Sequence, residues 1–537
     1  MSYASWQTYQ NDLRNTGVSN GTGYLPSNTA NFSIDLGMDF QPLVDDLDAN
    51  GKNEIVIFSN DSSIILSPQL DILNSVKTGP LLGQPTLFNF DNDSLIEIIF
   101  NARQNFTDYF FVYQYNNSNL QQEFNITLTN EANFGGIKCF GFNGTNYCVF
   151  KDKLNYVHVV NMVSREDNSY FISNYEERRH TVPAIGDIDD DGRYEAVWWF
   201  NQNNGSGYGF LVFDLINRSL ETNFNNSGIV DDIFSPINLG PSLYHQLFEL
   251  KGQPVLVDLN NDGKLEIAAS VFYEDAPYDW TGNDWYTQLF VYTHNGTKLF
   301  SKCGVNGFNG QCSDADSEVN KWEGTNPFVM DYDKNGFDDI CFVKDVKQID
   351  SSRFDHMDLN CYNYNGGEIA SVSLSKFPDG IQGNAMLADM NNDGEKEIIT
   401  RNHIYLLNST SIFFYNLDAF NPIAVDIDGN NGLDLIWTHG NLTKVFLDNN
   451  NYTVDLAVSA SDINFLKFNS THINVSAMVK NIGQVETNNV KVAVYNTETL
   501  ENNTIVLGIK KGKNITFSSI LGLRENQEVL VSVDYYN

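Results

Sequence analysis

No run of about 18 apolar residues occurs in the 537-residue chain, so nothing in it reads as a membrane-spanning helix. The opening Met1-Ser2-Tyr3-Ala4-Ser5-Trp6 lacks a basic stretch followed by an apolar core. It therefore reads either as a cytosolic start or as a mature chain after removal of a leader. Positive charge is scarce: 32 Lys and Arg stand against 68 Asp and Glu, a formal net charge of -36. That balance disfavours nucleic acid and anionic lipid as partners. No Cys-x-x-Cys occurs and the 8 histidines are scattered, so zinc is not expected. G-x-S-x-G and H-E-x-x-H are both absent, which removes two hydrolase signatures.

Hydrophobic residues at 42% and aromatics at 13% suffice for a buried core, and the length exceeds what one core usually holds. Two or more domains, or a repeat architecture, are expected. Asn-x-Ser/Thr occurs roughly nineteen times, including Asn20, Asn60, Asn105, Asn125, Asn217, Asn295, Asn474 and Asn514. Asn is abundant, so many matches are incidental, but the excess points to a glycosylated, exported protein. The six cysteines fall into three close pairs, Cys139 with Cys148, Cys303 with Cys312, and Cys341 with Cys361. Six cysteines allow 15 pairings. Local pairing is expected because each pair lies within one hairpin or loop.

The acid is organised. A short apolar strand, an acidic loop with glycine and a second apolar strand recur as one phrase. Its ligand-type residues are Asp46, Asp48, Asn50 and Glu54 in the first copy. They recur as Asp187, Asp189, Asp191 and Glu195; as Asp258, Asn260, Asp262 and Glu266; and as Asp331, Asp333, Asn335 and Asp339. Two more sets follow, Asp389, Asn391, Asp393 and Glu397, then Asp426, Asp428, Asn430 and Asp434. A worn copy holds Asn89, Asp91, Asp93 and Glu97, with Ser94 where glycine is expected. Between it and Asp187, Gly136 to Phe150 keeps the strand-loop-strand shape without the acids.

Copies lie about 40 to 75 residues apart, which suits one four-stranded propeller blade each. Counting the acid-free copy gives eight blades. The last has room for only three strands, so a segment near Phe32 to Leu36 is expected to supply the fourth and close the ring.

The shared pattern is D-x-[DN]-x-[DN]-G-x-x-[DE], with Asn431 replacing glycine in the last copy. Oxygens at positions one, three, five and nine can wrap a hard cation, and glycine at six permits the bend. An all-oxygen, highly charged set favours calcium over magnesium. The EF-hand differs, since its closing Glu stands at position twelve. Acid-rich turns linking strands are the alternative for any single copy; six good copies favour about six to seven calcium sites.

On these motifs the chain resembles the FG-GAP/VCBS repeat family, to which the integrin-α propeller belongs, over roughly residues 1–451. The resemblance implies a calcium-binding β-propeller in which the metal is structural. The family commonly has seven blades, so seven is the alternative to eight. From 452 to 537 the acidic loops stop and period-two alternation takes over, as in His472 to Gln484 and Glu528 to Tyr535. An immunoglobulin-like sandwich is expected there. Val479-Lys480-Asn481-Ile482-Gly483 and Lys511-Gly512-Lys513 resemble the CARDB type of module.

Metal loops joining strands one and two share a face with the three-four loops. The long insertions are of the other two kinds and converge on the opposite face, where binding is expected. One insertion carries Tyr273, Tyr278, Trp280, Trp285 and Tyr286 among acids and amides, suited to sugar stacking or a protein contact; packing of the loop is the alternative. Arg178, Arg179 and His180 form a small basic cluster, read chiefly as an edge-strand charge cluster, with recognition of an acidic sugar as the alternative. The function expected is a secreted or cell-surface, calcium-stabilised glycoprotein that recognises a protein or glycan. A polysaccharide lyase or glycosidase on the same scaffold is one alternative, and a structural subunit of a surface layer or filament another.

Overall fold

The computed structural model describes all residues except 1–11, 13, 17, 24, 26–29, 37–39, 60, 92, 117, 129–134, 153, 173–181, 202–207, 231–243, 247–252, 277–283, 304–325, 348–353, 375–384, 401–402, 408–410, 415–421, 431, 440–441, 449–455, 458–462, 468–471, 482–489, 497–499, 507–513, 523–528 and 536–537. The described residues are all β, with no helix, and divide into two compact units, Met1–Leu447 and Asp448–Asn537.

The first unit is an eight-bladed β-propeller. Blades 1 to 7 are antiparallel meanders whose four main strands run outward in chain order. Blade 1 consists of Leu43–Asp45, Glu54–Ser59, Ser62–Leu66 and Ile72–Lys77; blade 2 of Thr86–Phe88, Glu97–Gln104, Thr107–Asn116 and Asn119–Thr127. The acid-free copy is a full blade 3: Lys138–Phe142, Thr145–Lys151, Tyr156–Asn161 and Glu166–Phe171. Blades 4 to 7 begin at Ala184–Gly186, Val255–Val257, Phe328–Met330 and Met386–Asp389. Blade 8 has three strands from its own repeat, Ile423–Val425, Asp434–His439 and Leu442–Phe446. Its outer strand is Phe32–Asp35, paired from Phe32 opposite Val445 to Asp35 opposite Leu442. The N-terminal strand thus closes the ring, as the missing fourth strand of the last repeat requires.

Period-two alternation explains how the blades pack. Ile55 and Ile57 pack into the cluster shared with blades 7 and 8, whereas Val56 and Phe58 pack against blade 2. Trp198 and Trp199, successive and both fully buried, face opposite ways. One packs towards blade 3 and the other towards blade 5. Burying one such side chain contributes about 1.5–3 kcal/mol, and every second strand contributes to two interfaces. Stability is therefore shared round the ring.

The N-terminal segment also lines the inside. Val18–Thr22 pairs in parallel with Met386–Asp389, the first strand of blade 7. Before it, the carbonyl of Arg14 accepts the N–H of Leu256 at 3.1 Å and Asn15 Nδ2 donates to the carbonyl of Pro254 at 3.0 Å. The fully buried Lys138 of blade 3 reaches the carbonyl of Asp12. The Leu433 N–H of blade 8 donates to the Thr22 carbonyl at 2.9 Å. The described residues among 12–23 therefore bond to blades 3, 5, 6, 7 and 8.

Two disulfides join neighbouring strands, Cys139–Cys148 in blade 3 and Cys341–Cys361 in blade 6. The pairing of Cys303 with Cys312 lies outside the described residues, as do the cluster at Arg178 and the residues Asn60, Tyr278 and Trp280. The second unit contains two antiparallel sheets. One is built of Leu456–Ala457, His472–Asn481, Ile463–Lys467 and Asn514–Gly522, the other of Leu500–Val506, Val490–Asn496 and Val529–Tyr535.

Candidate metal centres

Seven blades carry the acidic loop between strands 1 and 2, and its internal bonding repeats nearly unchanged. The position-one carboxylate accepts the N–H of position six: Gly51 to Asp46 at 2.8 Å, Gly192 to Asp187 at 2.9 Å, Gly263 to Asp258 at 2.9 Å, Gly336 to Asp331 at 2.8 Å and Gly394 to Asp389 at 3.0 Å. These glycines have φ between 84° and 88°, a region closed to most side chains, so glycine at six is a backbone requirement. Position four also takes a positive φ, at Ala49, Asp190, Asn261, Lys334 and Asn392, and at Gly429 in blade 8. Asn431, which stands at position six in blade 8, lies outside the described residues.

One oxygen of the position-nine carboxylate always accepts the N–H of position two. The pairs are Leu47 with Glu54, Phe90 with Glu97, Ile188 with Glu195, Leu259 with Glu266, Tyr332 with Asp339, Met390 with Glu397 and Ile427 with Asp434, at 2.6 to 3.1 Å. This bond fixes the closing carboxylate and leaves its other oxygen facing the loop. Ligand oxygens of Asp46, Asp48 and Glu54 lie within 4.8 Å of one another, as do those of Asp91, Asp93 and Glu97, of Asp187, Asp189 and Glu195, and of Asp331, Asp333 and Asp339. Asn50, Asp191, Asp262, Asn335, Asp393 and Asn430, at position five, use a side-chain oxygen to hold the N–H of position seven. Asn260 and Asn391 point their amides at Asp262 and Asp393.

These residues fit a cation. Asp339 Oδ1, Glu195 Oε1 and Asp189 Oδ1 are buried without a hydrogen-bond partner, which is costly for a carboxylate. Burial, aided by neighbouring carboxylates, pushes Glu54 up to about 8, Glu97 to about 8, Glu195 to about 9, Glu266 to about 7, Asp339 to about 6 and Glu397 to about 7. In each case burial is the largest cause. The charged form is short of positive charge, and the all-oxygen shell suits a hard cation.

Blade 2 departs from the pattern. Asn89 at position one donates its amide to the Asp93 carbonyl at 2.7 Å. Gln114 of strand 3 donates to Asp93 at 3.0 Å and Glu97 at 3.4 Å. An amide there meets the closing-carboxylate oxygen that Glu195 and Asp339 leave open. Blade 3 replaces the loop by a tight turn, with Asn143 at φ 48° and Gly144 at φ 75°. The adjacent Cys139–Cys148 bond holds the strands that the loops hold elsewhere.

The loops also touch each other. The N–H of Leu265 donates to the Ile188 carbonyl at 2.9 Å, Asn261 Nδ2 to the Gly336 carbonyl at 3.0 Å, and Lys334 pairs with Glu395. Asn53 reaches the Asp426 carbonyl. Loop-to-loop bonds therefore link blades 4 to 7, and blade 8 to blade 1. The strand order puts all seven loops on one face. On the other side, blade 5 extends its second and third strands, Glu266–Ala276 and Asp284–Tyr292. These set Tyr273 opposite Tyr286 and Glu274 opposite Trp285, so Trp285 and Tyr286 stand on a strand. Of the sequons, Asn105, Asn125, Asn217 and Asn295 are exposed, whereas Asn474 is half-buried. Asn20 and Asn514 lie on strands.

Fold and site together define an eight-bladed β-propeller with a ring of cation-ready acidic loops on one face. No protein-family model and no curated protein matches the sequence. Among solved structures the chain is similar to BBS1N in its complex with ARL6DN, at 11% identity and a TM-score of 0.36, over 80% of this chain and 97% of that one. It is similar to a Bacillus licheniformis rhamnogalacturonan lyase at 13% identity and a TM-score of 0.32, over 78% and 66%. The V. cholerae biofilm matrix protein Bap1 gives 14% identity and a TM-score of 0.31, over 76% of each chain. At such values these likenesses say nothing of substrate or partner.

Proposed function

We propose that the protein is an extracellular, calcium-stabilised surface glycoprotein of the FG-GAP type, which binds a protein or glycan through the face opposite its metal loops. The observation that carries this reading is the confinement of all the acidic loops to the strand 1–2 connections. There their closing carboxylates are pinned by backbone and otherwise short of positive charge. Calcium bound there staples strand 1 to strand 2 and leaves the other face to variable connections. Tyr278, Trp280, Trp285 and Tyr286 are the proposed contact residues on that face. Two disulfides and many sequons fit an oxidising, glycosylating compartment. The second unit is proposed as a CARDB-like, immunoglobulin-type module from about residue 452, acting as a spacer or contact.

A glycan array run together with a polysaccharide-cleavage screen, on the full chain in millimolar calcium, tests the reading. Binding without turnover, lost in a Trp280→Ala/Trp285→Ala double variant that keeps its melting temperature, is the expected result. Cleavage that depends on acids of the same face would replace it with the lyase or glycosidase reading.

A further inference from the structure

Blade 4 holds more negative charge than one loop cation offsets. Glu195, its closing carboxylate, stands directly across from Asp214 on the third strand, Tyr208–Asp214. Like charges facing each other across a sheet are destabilising. Blade 2 has Gln114 at the matching place opposite Glu97, and the amide donates to Glu97. In blade 4 Glu221, immediately after the outer strand Ser219–Leu220, adds a third carboxylate. Oxygens of Glu195, Asp214 and Glu221 lie within 4.8 Å of one another, and all three residues are buried.

Donors nearby satisfy Asp214 but leave Glu195 Oε1 unmet. Asp214 accepts the Ile216 and Asn217 N–H groups on Oδ1, and Arg193 Nε at 2.9 Å and Asn217 Nδ2 at 2.7 Å on Oδ2. Glu221 Oε1 accepts the Asn223 N–H at 2.8 Å. Glu195 Oε2 is taken by Ile188, and its Oε1 has no donor although the residue is 0% exposed. Arg193, which bridges Asp191 and Asp214, supplies one positive charge. Against it stand Asp187, Asp189, Asp191, Glu195, Asp214 and Glu221, so one divalent ion in the loop still leaves a threefold negative excess. The same count in blade 1, with Asp45, Asp46, Asp48 and Glu54 against Lys52, leaves a single negative charge.

We propose that blade 4 binds a second divalent cation, of the calcium class, between its second, third and outer strands, held by Glu195, Asp214 and Glu221. Glu195 then bridges it to the loop cation, making a dinuclear centre. The proposal rests on the reading of the loops as calcium sites. Oxygen-only ligands select a hard ion, and a shared carboxylate sets the two ions about 4 Å apart, as in other two-metal sites.

The test is anomalous diffraction from crystals of the full chain grown with terbium in place of calcium. Two peaks in blade 4 against one in each of blades 1, 5 and 6 are expected. A correctly folded Glu221→Gln variant should keep the loop peak and lose the second. One blade 4 peak, at the loop, in the wild-type chain would overturn the dinuclear site while leaving the loop reading intact. No peak at any loop would overturn both.

Discussion

The Tyr332 N–H donates to Asp339 Oδ2 at 2.9 Å, while Asp339 Oδ1 is buried and has no hydrogen-bond partner. The backbone thus fixes one oxygen of the closing carboxylate and holds the other at a point where only a cation, or a proton, can satisfy it.

Replacing Asp339 by Asn keeps the bond to Tyr332 and weakens the cation shell. The variant should lose about 1–3 kcal/mol in saturating calcium, the range for a buried charged partner left unmet. It should lose much less, or gain, in chelator. Urea titrations in the two conditions read the difference directly.

Stability should respond to pH with opposite signs with and without calcium. Burial raises Glu54 and Glu97 from 4.5 to about 8 and Glu195 to about 9, so the cation-free fold holds protons that the unfolded chain has released. The stability these groups contribute is complete below pH 4.5 and is lost as pH rises through 7 to 9. In chelator the denaturation midpoint should therefore fall from pH 6 to pH 9. In saturating calcium, which competes with those protons, it should stay level or rise.

Gly336 has φ 87° and nothing within 4 Å of where a Cβ would stand. A Gly336→Ala change therefore tests backbone strain without a clash. It should cost about 1–2 kcal/mol and weaken the Gly336–Asp331 bond, lowering calcium affinity at that loop. Calorimetric titration of the variant checks both effects.

Deleting residues 1–36 removes the parallel strand on blade 7 and the outer strand of blade 8. The exposed edge of Leu442–Phe446 should then recruit other chains, giving concentration-dependent association in sedimentation. Deleting only 1–24 spares Phe32–Asp35 and should leave a monomer with faster amide exchange at Leu256 and Leu433, whose N–H groups lose their partners.

The repeat made the propeller legible, because four oxygens and a glycine at fixed spacing leave little choice of local structure. The closing strand at Phe32 was also legible, since the last repeat runs out of strands. Asp214 and Glu221 were not. Their place beside Glu195 depends on the register of Glu195–Asn201 against Tyr208–Asp214 across an intervening connection, which no local spacing reveals. Gln114 in blade 2 escaped notice for the same reason. The inner course of the described residues among 12–23 was hidden too, because most of its bonds use backbone groups that any residue offers.

The most direct test of the account is the thermal unfolding of the full chain, followed by calorimetry in 5 mM calcium and again in excess chelator at pH 7.5. With several crowded, buried carboxylates stripped of their counter-ion, the account predicts a sharp fall in melting temperature that is restored when calcium is returned. An unchanged melting temperature would contradict it.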